Sequence, residues 1–141
     1  MHLVSIRIIT EDVKKMSSFY EYITGIAPVL YTEDFAELKT PSAILAIGST
    51  KTLELFGGDE VAKAAQNRTA IIEFRVNDVD DEYNRLAGFV QDLIVQKPTT
   101  MPWGNRSFLF RDTDGNLINF FAPLTREAIQ KFNEGSTEEL A

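Results

Sequence analysis

The sequence predicts an α+β fold in which one βαβββ unit occurs twice and forms cupped mixed sheets, followed by a C-terminal helix. Two observations carry this prediction. Residues 107–121 form two apolar runs around the turn Asp112–Asn116, whose Asp-Gly pair is a strong hairpin signal. A weaker copy of this pattern lies at residues 42–56. A hairpin in each half of the chain indicates an internal duplication.

Each hairpin follows a matching strand and helix start. Residues 5–13 can be laid over residues 71–79, which places Asp12 and Asp78 at the first turn of the two predicted helices. A carboxylate in this position caps free backbone N–H groups. We therefore expect a single domain over residues 1–141, made of a first unit at 3–57, a second unit at 69–122 and a C-terminal helix at 124–133.

The elements follow in order from the periodicity of apolar residues. In the first half, we expect a strand at 3–9, a helix at 11–23 that ends at Gly25, strands at 29–32 and 35–39, and a hairpin of strands 43–47 and 52–56. In the second half, we expect a strand at 70–76, a helix at 79–89, a strand at 93–96, a loop at 98–102 and the hairpin of strands 107–111 and 117–121.

Composition limits the classes of function. A chain of 141 residues with 44% apolar residues can form one ordinary globular core. The net charge of −7 argues against a nucleic-acid partner or an anionic membrane surface. Cysteine is absent from the sequence, so disulfides and thiolate chemistry are excluded. Without a signal-like or membrane-spanning apolar run, a cytoplasmic location is the expectation.

One segment resembles a known family. Trp103-Gly104-Asn105-Arg106 is followed closely by Arg111 and the Asp112–Asn116 turn, in the last hairpin of the duplicated pattern. This arrangement resembles the vicinal oxygen chelate superfamily, which includes glyoxalase I, extradiol dioxygenases, fosfomycin resistance enzymes and bleomycin resistance proteins. The resemblance covers about residues 3–122. It implies a homodimer and a ligand groove, while the superfamily hosts several unrelated activities.

The alternation of side chains along the strands predicts which of them line the concave side. Val4, Ile6 and Ile8 are expected to face the helices. In the last hairpin we expect Leu109 opposite Asn119 and Ser107 opposite Phe121. The concave face then mixes charged and apolar side chains, namely Arg7, Glu54, Glu73, Arg75, Ile9, Phe56, Ile71 and Phe121. Two interpretations stay open: a small-molecule site, or charges that only neutralise one another.

The resemblance also implies where a metal would bind. Its metal-dependent members take ligands from the middle of the first and last strands of each unit. The corresponding residues here are Ser5, Glu54, Ile71 and Asn119, of which only Glu54 is a usual ligand. His2, the single histidine of the sequence, is expected on the opposite face. We therefore expect neither a metal nor another cofactor.

These observations predict a protein that binds a small aromatic or cationic molecule without a catalytic metal. By resemblance, Trp103 lines the groove and stacks on the ligand, whereas Arg106 is expected to hold the turn through Asp112 or Asp114. The predicted ligand-binding residues are Arg7, Glu54, Phe56, Glu73, Arg75, Trp103, Asn119 and Phe121. One alternative is a metal-dependent glyoxalase-like lyase or dioxygenase whose ligands are completed in a dimer. Another is a metal-free enzyme with Glu54 or Glu73 as general base; no catalytic residue is assigned.

Overall fold

A computed structural model describes residues 1–140 of the chain, with side chains as far as Asn133. The first half contains β1 (Ser5–Thr10), α1 (Val13–Thr24), β2 (Val29–Thr32), β3 (Phe35–Lys39), β4 (Ile44–Ser49) and a 3-10 segment, Thr50–Phe56. The second half contains β5 (Ile71–Arg75), α2 (Val79–Leu86), a short 3-10 turn Gln91–Leu93, β6 (Ile94–Thr100), β7 (Asn105–Arg111), β8 (Leu117–Pro123) and α3 (Arg126–Leu140).

The chain divides into two compact units of the same βαβββ type. The first unit consists of Met1–Thr69 together with the turn Asp112–Asn116, and the second consists of Ala70–Arg111 and the chain from Leu117 onward. The strand order is β1-β4-β3-β2 in the first sheet and β5-β8-β7-β6 in the second. In both sheets the first and last strands pair in parallel, and the remaining pairs are antiparallel. The predicted α+β fold with its C-terminal helix is confirmed.

Each helix covers one face of the sheet of its own unit, which we call the inner face; the opposite side is the open face. α1 begins at Asp12, whose side chain accepts a hydrogen bond from Lys15 N, and ends at Gly25 with φ 73°. Its buried side chains pack against β3 and β4. In the second unit, the Tyr83 ring meets the Phe108 ring edge-on at 5.2 Å. The inner faces are almost wholly buried at Ala36, Leu38, Ile47, Phe108, Phe110, Ile118 and Phe120.

The alternation of side chains predicted the register of β7 and β8 correctly, but it predicted the burial of the first strand less well. The β7–β8 register places Leu109 opposite Asn119 and Ser107 opposite Phe121, as predicted. Of the three residues expected to face the helices, however, only Ile8 is buried, whereas Val4, just before β1, is 61% exposed and Ile6 is 52% exposed. β1 is an edge strand, and α1 packs on β3 and β4 instead. The prediction that all three contact the helices is therefore wrong for Val4 and Ile6.

The predicted strand at 52–56 is wrong, because this segment forms the 3-10 turns of Thr50–Phe56. The Ser49 side chain accepts a hydrogen bond from Lys51 N, and the Thr52 hydroxyl donates to Ser49 O at 2.7 Å. These bonds start a helical turn and so compete with strand pairing. Leu53 is buried and Leu55 is 93% exposed, so the apparent alternation of apolar residues does not reflect a strand. The last strand of the first unit is β4.

Three boundaries in the second unit also differ from prediction. α2 ends at Leu86 rather than at residue 89, and α3 begins at Arg126 rather than at residue 124. The predicted loop at 98–102 is largely strand, because β6 continues to Thr100 through Pro98. Proline is tolerated there since β6 is an edge strand with irregular pairing, so the missing N–H removes no ladder hydrogen bond.

The turn Asp112–Asn116 is organised around one buried carboxylate. Asp112 Oδ1 accepts hydrogen bonds from the backbone N–H groups of Asp114 and Asn116, both at 2.9 Å. Its Oδ2 accepts from Asn116 Nδ2 and from the Tyr20 hydroxyl, both at 2.7 Å. Gly115 has φ 85°, as expected for the glycine of this turn. Asp112 is 1% exposed and Tyr20 is fully buried, so these bonds satisfy a carboxylate that would otherwise destabilise the fold.

Arg106 does not pair with that turn. Its Nε and Nη2 donate to the two carboxylate oxygens of Asp80 at 2.8 and 2.9 Å, and its Nη1 donates to the Thr100 hydroxyl at 3.1 Å. The hydrogen bond from Arg106 lowers the pKa of Asp80. The predicted partner was therefore wrong: the guanidinium joins β7 to the first turn of α2.

Gly104 holds the start of α3 close to the β6–β7 connection. It has φ 94°, and its carbonyl accepts hydrogen bonds from the backbone N–H groups of Leu124 and Thr125. A Cβ atom at this position would lie 2.2 Å from Thr125 Oγ1. Since Thr125 Oγ1 also accepts from Ala128 N in the first turn of α3, it cannot move without loss of that bond.

The buried Tyr20–Asp112 hydrogen bond predicts a loss of stability at alkaline pH. Burial, followed by the negative charge of Asp112, raises the pKa of Tyr20 well above its ordinary value. Between the unfolded and folded pKa, the unfolded chain loses a proton that the folded chain keeps, so stability is complete below about pH 10 and falls above it. As the pH rises, we expect the free energy of unfolding of the Tyr20→Phe variant to fall less steeply than that of the wild type. The two slopes should differ by roughly 1 kcal/mol per pH unit.

Urea unfolding of the wild type and of Tyr20→Phe between pH 8 and 11 measures this difference. Tyr22→Phe, which removes the hydroxyl of a half-exposed tyrosine on the same helix, serves as the control. Parallel pH profiles for the wild type and Tyr20→Phe would contradict the linkage.

Gly104→Ala is expected to destabilise the protein by roughly 2–4 kcal/mol, because it adds a steric clash to an unfavourable backbone angle. Gly115→Ala is the matched control, since Gly115 has a similar positive φ but nothing within 4 Å of the added Cβ atom. Chemical denaturation of both variants separates the two effects. Equal losses would show that the contact with Thr125 contributes nothing.

Candidate functional site

The predicted ligand-binding residues fall into separate groups, and the open face of the second sheet carries the most polar one. Glu73 on β5 lies beside Asn119 on β8 in the parallel register. Asn119 Nδ2 donates a hydrogen bond to Glu73 Oε2 at 2.8 Å. Asn119 is only 9% exposed, whereas Glu73 is exposed. The structure therefore brings these two predicted residues together, with the carboxylate positioned by a buried amide.

Three buried acceptor atoms on this sheet have no partner among the described residues, and one of them, Asn105 Oδ1, lies at the start of β7. Asn119 Oδ1 and Gln96 Oε1 are both buried and accept no hydrogen bond. Leu109 pairs with Asn119 on one side and with Gln96 on the other, so all three belong to the open face. An unpaired buried acceptor costs about 1–3 kcal/mol. These acceptors on the open face of the second sheet therefore suit a ligand group that donates hydrogen bonds. Sequence reasoning missed Gln96, since the β6 bulge that sets its direction is not visible in the chain.

Arg75 and Phe121 lie on the same open face, where α3 covers Phe121 and leaves Arg75 exposed. The Phe121 and Phe132 rings are 5.1 Å apart, and the Arg75 guanidinium carbon lies 5.9 Å from the Phe132 ring centre. Phe121 is 7% exposed. The helical spacing of Leu124, Ala128, Ile129 and Phe132 predicts that Phe132 lies on the packed side of α3, but it does not predict which surface the ring meets. In this structure, Phe121 of β8 thus packs against α3.

The first unit gathers a different set. The Arg7 guanidinium carbon lies 4.7 Å from the centre of the Phe35 ring and 5.1 Å from that of Phe56. Phe35 and Tyr31 stack at 6.0 Å, and Lys39 Nζ lies 5.4 Å from the Tyr31 ring centre. A hydrogen bond with Tyr31 raises the pKa of Lys39. Arg7 and Phe56 are therefore neighbours, whereas sequence reasoning missed the aromatic residues of β2 and β3 between them and Lys39.

Among the described residues, Glu54 and Trp103 make no hydrogen bond or ring contact with these groups. Glu54 lines a cavity of about 400 Å³ in the first unit, whose wall also includes Glu11, Lys51 and Asp59. Trp103 sits between β6 and β7 and is 67% exposed. Among the residues described, none makes a hydrogen bond or ring contact with its indole. The side chain is therefore accessible to a ligand or to solvent.

The residues at the expected metal positions do not fit a catalytic metal. In the second unit they are Ile71, which has no donor atom, and Asn119, a neutral amide. In the first unit, the last strand is β4, so Glu54 does not lie on it. Asn119 pairs with Glu73 in the second unit, and the equivalent pair in the first unit is Ala46 with Arg7. Ala46 therefore occupies the position that was expected for Glu54. Ser5 is then the only oxygen donor of the first pair. Within the described part of the chain, no three His, Cys, Asp or Glu side chains group closely enough to hold an ion.

Among residues 1–140, none of the helices combines the length and the apolar character needed to span a bilayer.

Comparison with known proteins agrees with this architecture. The chain is 28% identical over 130 residues to the uncharacterized protein YraH of Bacillus subtilis (strain 168), which covers 88% of this chain and all of that protein. A glyoxalase/bleomycin resistance protein/dioxygenase from Nocardioides superposes with a TM-score of 0.72 at 22% identity, covering 89% of this chain and 85% of that one. A glyoxalase/bleomycin resistance protein/dioxygenase family enzyme from Burkholderia phytofirmans PsJN superposes with a TM-score of 0.74 at 17% identity. The match covers 85% of this chain and 97% of that one.

The strongest assignment comes from a family model, which matches residues 2–120 and so includes both βαβββ units up to the last strand. The duplicated strand order and the parallel pairing of first and last strands are the structural counterpart of this match. The chain belongs to the glyoxalase/bleomycin resistance protein/dioxygenase superfamily.

Proposed function

We propose that this protein binds a small aromatic molecule that bears a cationic group, and that it does so without a catalytic metal. The observation that carries the proposal is the Glu73–Asn119 pair on the open face of the second sheet. The buried amide of Asn119 directs an exposed carboxylate, which is a good partner for an ammonium or amidinium group. The net charge of −7 favours the approach of such a ligand.

The unpaired oxygens of Asn119 and Gln96 support the same class of ligand. Each is buried and lacks a donor among the described residues. Because both oxygens are covered in this structure, the two side chains would have to turn toward the ligand. A ligand with several N–H groups would then satisfy them, and the free energy otherwise lost at an unpaired acceptor would contribute to binding. An anionic ligand would instead meet these acceptors and the Glu73 carboxylate, with Arg75 as the opposing cation on the same face. This face therefore selects for hydrogen-bond donors.

Exposed aromatic surface in the same unit supports an aromatic ligand. Trp103 presents most of its indole to solvent, which is unusual for a side chain that contributes so much when buried. Stacking on an indole is worth roughly 0.5–2 kcal/mol for a flat or cationic partner. The metal-dependent alternative has no comparable support, because Ser5, Ala46, Ile71 and Asn119 offer too few donor atoms.

Glu73→Gln is expected to weaken the binding of benzamidine or benzylammonium about tenfold or more, because the substitution removes the charge while it preserves the shape of the side chain. Isothermal titration calorimetry with 1 mM EDTA present measures this effect, with benzyl alcohol as the uncharged comparison ligand. Glu127→Gln, an equal change of charge at an exposed position in α3, is the matched control.

Three results would contradict the proposal. They are the absence of any binding by wild-type protein, an equal loss of affinity in both variants, and binding that disappears with EDTA and returns with added divalent metal. The last result would favour a metal-dependent enzyme of this family.

We also propose that the protein works as a homodimer, through the edge of the first sheet. β1 is an edge strand, and its residue Ile6, with Leu3 and Val4 just before the strand, is 52–85% exposed. A run of exposed apolar residues on an unpaired edge favours association with another chain.

Ile6→Lys is expected to shift the protein from dimer to monomer in sedimentation equilibrium, since it places a charge in the proposed contact. Leu55→Lys, at an even more exposed apolar residue of the same unit, should leave the mass unchanged. A monomeric wild-type protein, or dissociation by both substitutions alike, would refute this interface.

A further inference from the structure

We propose that the open face of the first sheet binds a planar aromatic anion, a ring that carries a carboxylate or a phosphate, with Arg7 as its anion-binding residue. This site does not depend on the function proposed for the second unit. It involves other residues, and its ligand has the opposite charge. We call the five side chains Phe56, Arg7, Phe35, Tyr31 and Lys39 the cation–aromatic row.

Arg7 supplies the charge that a ligand would meet. It is exposed on β1. Among the described residues, no carboxylate forms an ion pair with its guanidinium, and no group accepts a hydrogen bond from it. Five N–H donors in a rigid plane therefore remain available. A guanidinium of this kind binds a carboxylate or a phosphate through two parallel hydrogen bonds, which a point charge such as an ammonium cannot do.

The aromatic rings on both sides hold this guanidinium in place. Phe35 and Phe56 lie 4.7 and 5.1 Å from it, measured to the ring centres. Contact with two rings restricts the rotation of a long side chain, so less conformational entropy is lost when a ligand binds. Phe56 is itself 61% exposed. An aromatic ligand can therefore extend the stack while its anionic group reaches Arg7.

The row continues with a third ring and a second cation. Phe35 stacks on Tyr31 with an angle of 29° between the ring planes, and Lys39 Nζ lies 5.4 Å from the Tyr31 ring centre. Tyr31 is 52% exposed. Three rings and two cations thus lie along one accessible surface. Rings that stack and cations that bind an anionic group are what a flat anion needs for binding.

A glycine lies beneath the row, beside the stem of Arg7. Gly48 pairs with Ile9 on one side and with Phe35 on the other. A Cβ atom at Gly48 would meet Thr52 Oγ1 at 3.0 Å, which is tight, and Arg7 Cδ at 3.4 Å, near an ordinary van der Waals contact. The glycine therefore lets the 3-10 segment that ends at Phe56 pack close to β4, next to Arg7.

Acidic residues near the row leave the charge of Arg7 uncompensated. Glu37 is on the same face, two strands from Arg7 through Ala46, but its Oε1 lies 4.0 Å from Lys39 Nζ. Glu54 belongs to the cavity described above. The row therefore has one partly neutralised cation at Lys39 and one free cation, among the described residues, at Arg7.

Calorimetry and saturation-transfer NMR on the full chain test this proposal, with benzoate, phenyl phosphate, inorganic phosphate and benzylammonium as probes. Benzoate and phenyl phosphate should bind, and inorganic phosphate should bind at least about tenfold more weakly. The affinity for benzylammonium, which the Glu73 site is proposed to bind, should not change in Arg7→Gln. Arg7→Gln should lower benzoate affinity about tenfold or more, and Arg7→Lys should restore only part of it. Arg68→Gln, an exposed arginine of the same unit outside the row, should change nothing.

The ring contribution has its own variant. Phe56→Leu should weaken benzoate severalfold and leave the affinity for cyclohexanecarboxylate, which cannot stack, nearly unchanged. Circular dichroism confirms that each variant is folded. Glu73→Gln should leave benzoate binding intact, so failure of this site and failure of the proposed function are distinguishable.

Clear outcomes overturn the proposal. The row is not an anion site if benzoate and phenyl phosphate fail to bind the wild type, or if Arg7→Gln binds them as well as the wild type does. Equal weakening by Arg7→Gln and Arg68→Gln would show that only net charge matters. If inorganic phosphate binds as tightly as phenyl phosphate, the rings take no part.

Discussion

The parallel pairing of the first and last strands in each unit is the constraint on which both candidate sites depend. Two parallel neighbours cannot be joined by a tight turn, so the chain must cross one face of the sheet between them. In this protein the crossing contains the helix, and the helix occupies that face. The other face remains available for function. The same pairing sets the register that places Asn119 beside Glu73 and Ala46 beside Arg7.

The two units have diverged on this common scaffold. After its last strand, each unit folds a helical segment back toward its open face, and each segment brings a phenylalanine to an arginine. Phe56 from the 3-10 segment lies over Arg7, and Phe132 from α3 lies near Arg75. In the first unit the phenylalanine stays exposed, whereas in the second unit α3 buries Phe121 beneath it. Duplication of one fold has thus produced two surfaces with different chemistry.

Stability and function are carried by different polar groups. Asp112 is buried with four hydrogen bonds, and Arg106 is held by a bidentate contact with Asp80. These groups are satisfied within the fold and have little capacity left for a ligand. Asn119, Gln96 and Arg7 keep hydrogen-bonding capacity that the described residues do not use. Unused capacity on an open face is the physical basis of both proposed sites.

Local patterns in the sequence determined the parts of this structure that short-range forces control. Asp12, Gly25 and the apolar spacing between them predict α1, and the Asp112–Asn116 turn predicts the register of β7 and β8. Those elements close hydrogen bonds between residues near in sequence, so composition and spacing are sufficient. Residues 52–56 show the limit, because an apolar alternation over five residues is compatible with both a strand and a 3-10 turn.

Only the tertiary structure decided which distant groups meet. The Tyr20 hydroxyl contacts a carboxylate 92 positions away, Arg106 selects Asp80 rather than the nearby turn, and Asn119 reaches across to Glu73. Each choice depends on where the packing of helices and sheets places a side chain, and several partners of similar chemistry lie at comparable distances along the chain. Sequence alone therefore determined the duplicated fold and the side-chain alternation along β7 and β8, while the three-dimensional packing decided which groups meet. The physical reason is that a contact energy depends on distance in space and not on separation in sequence.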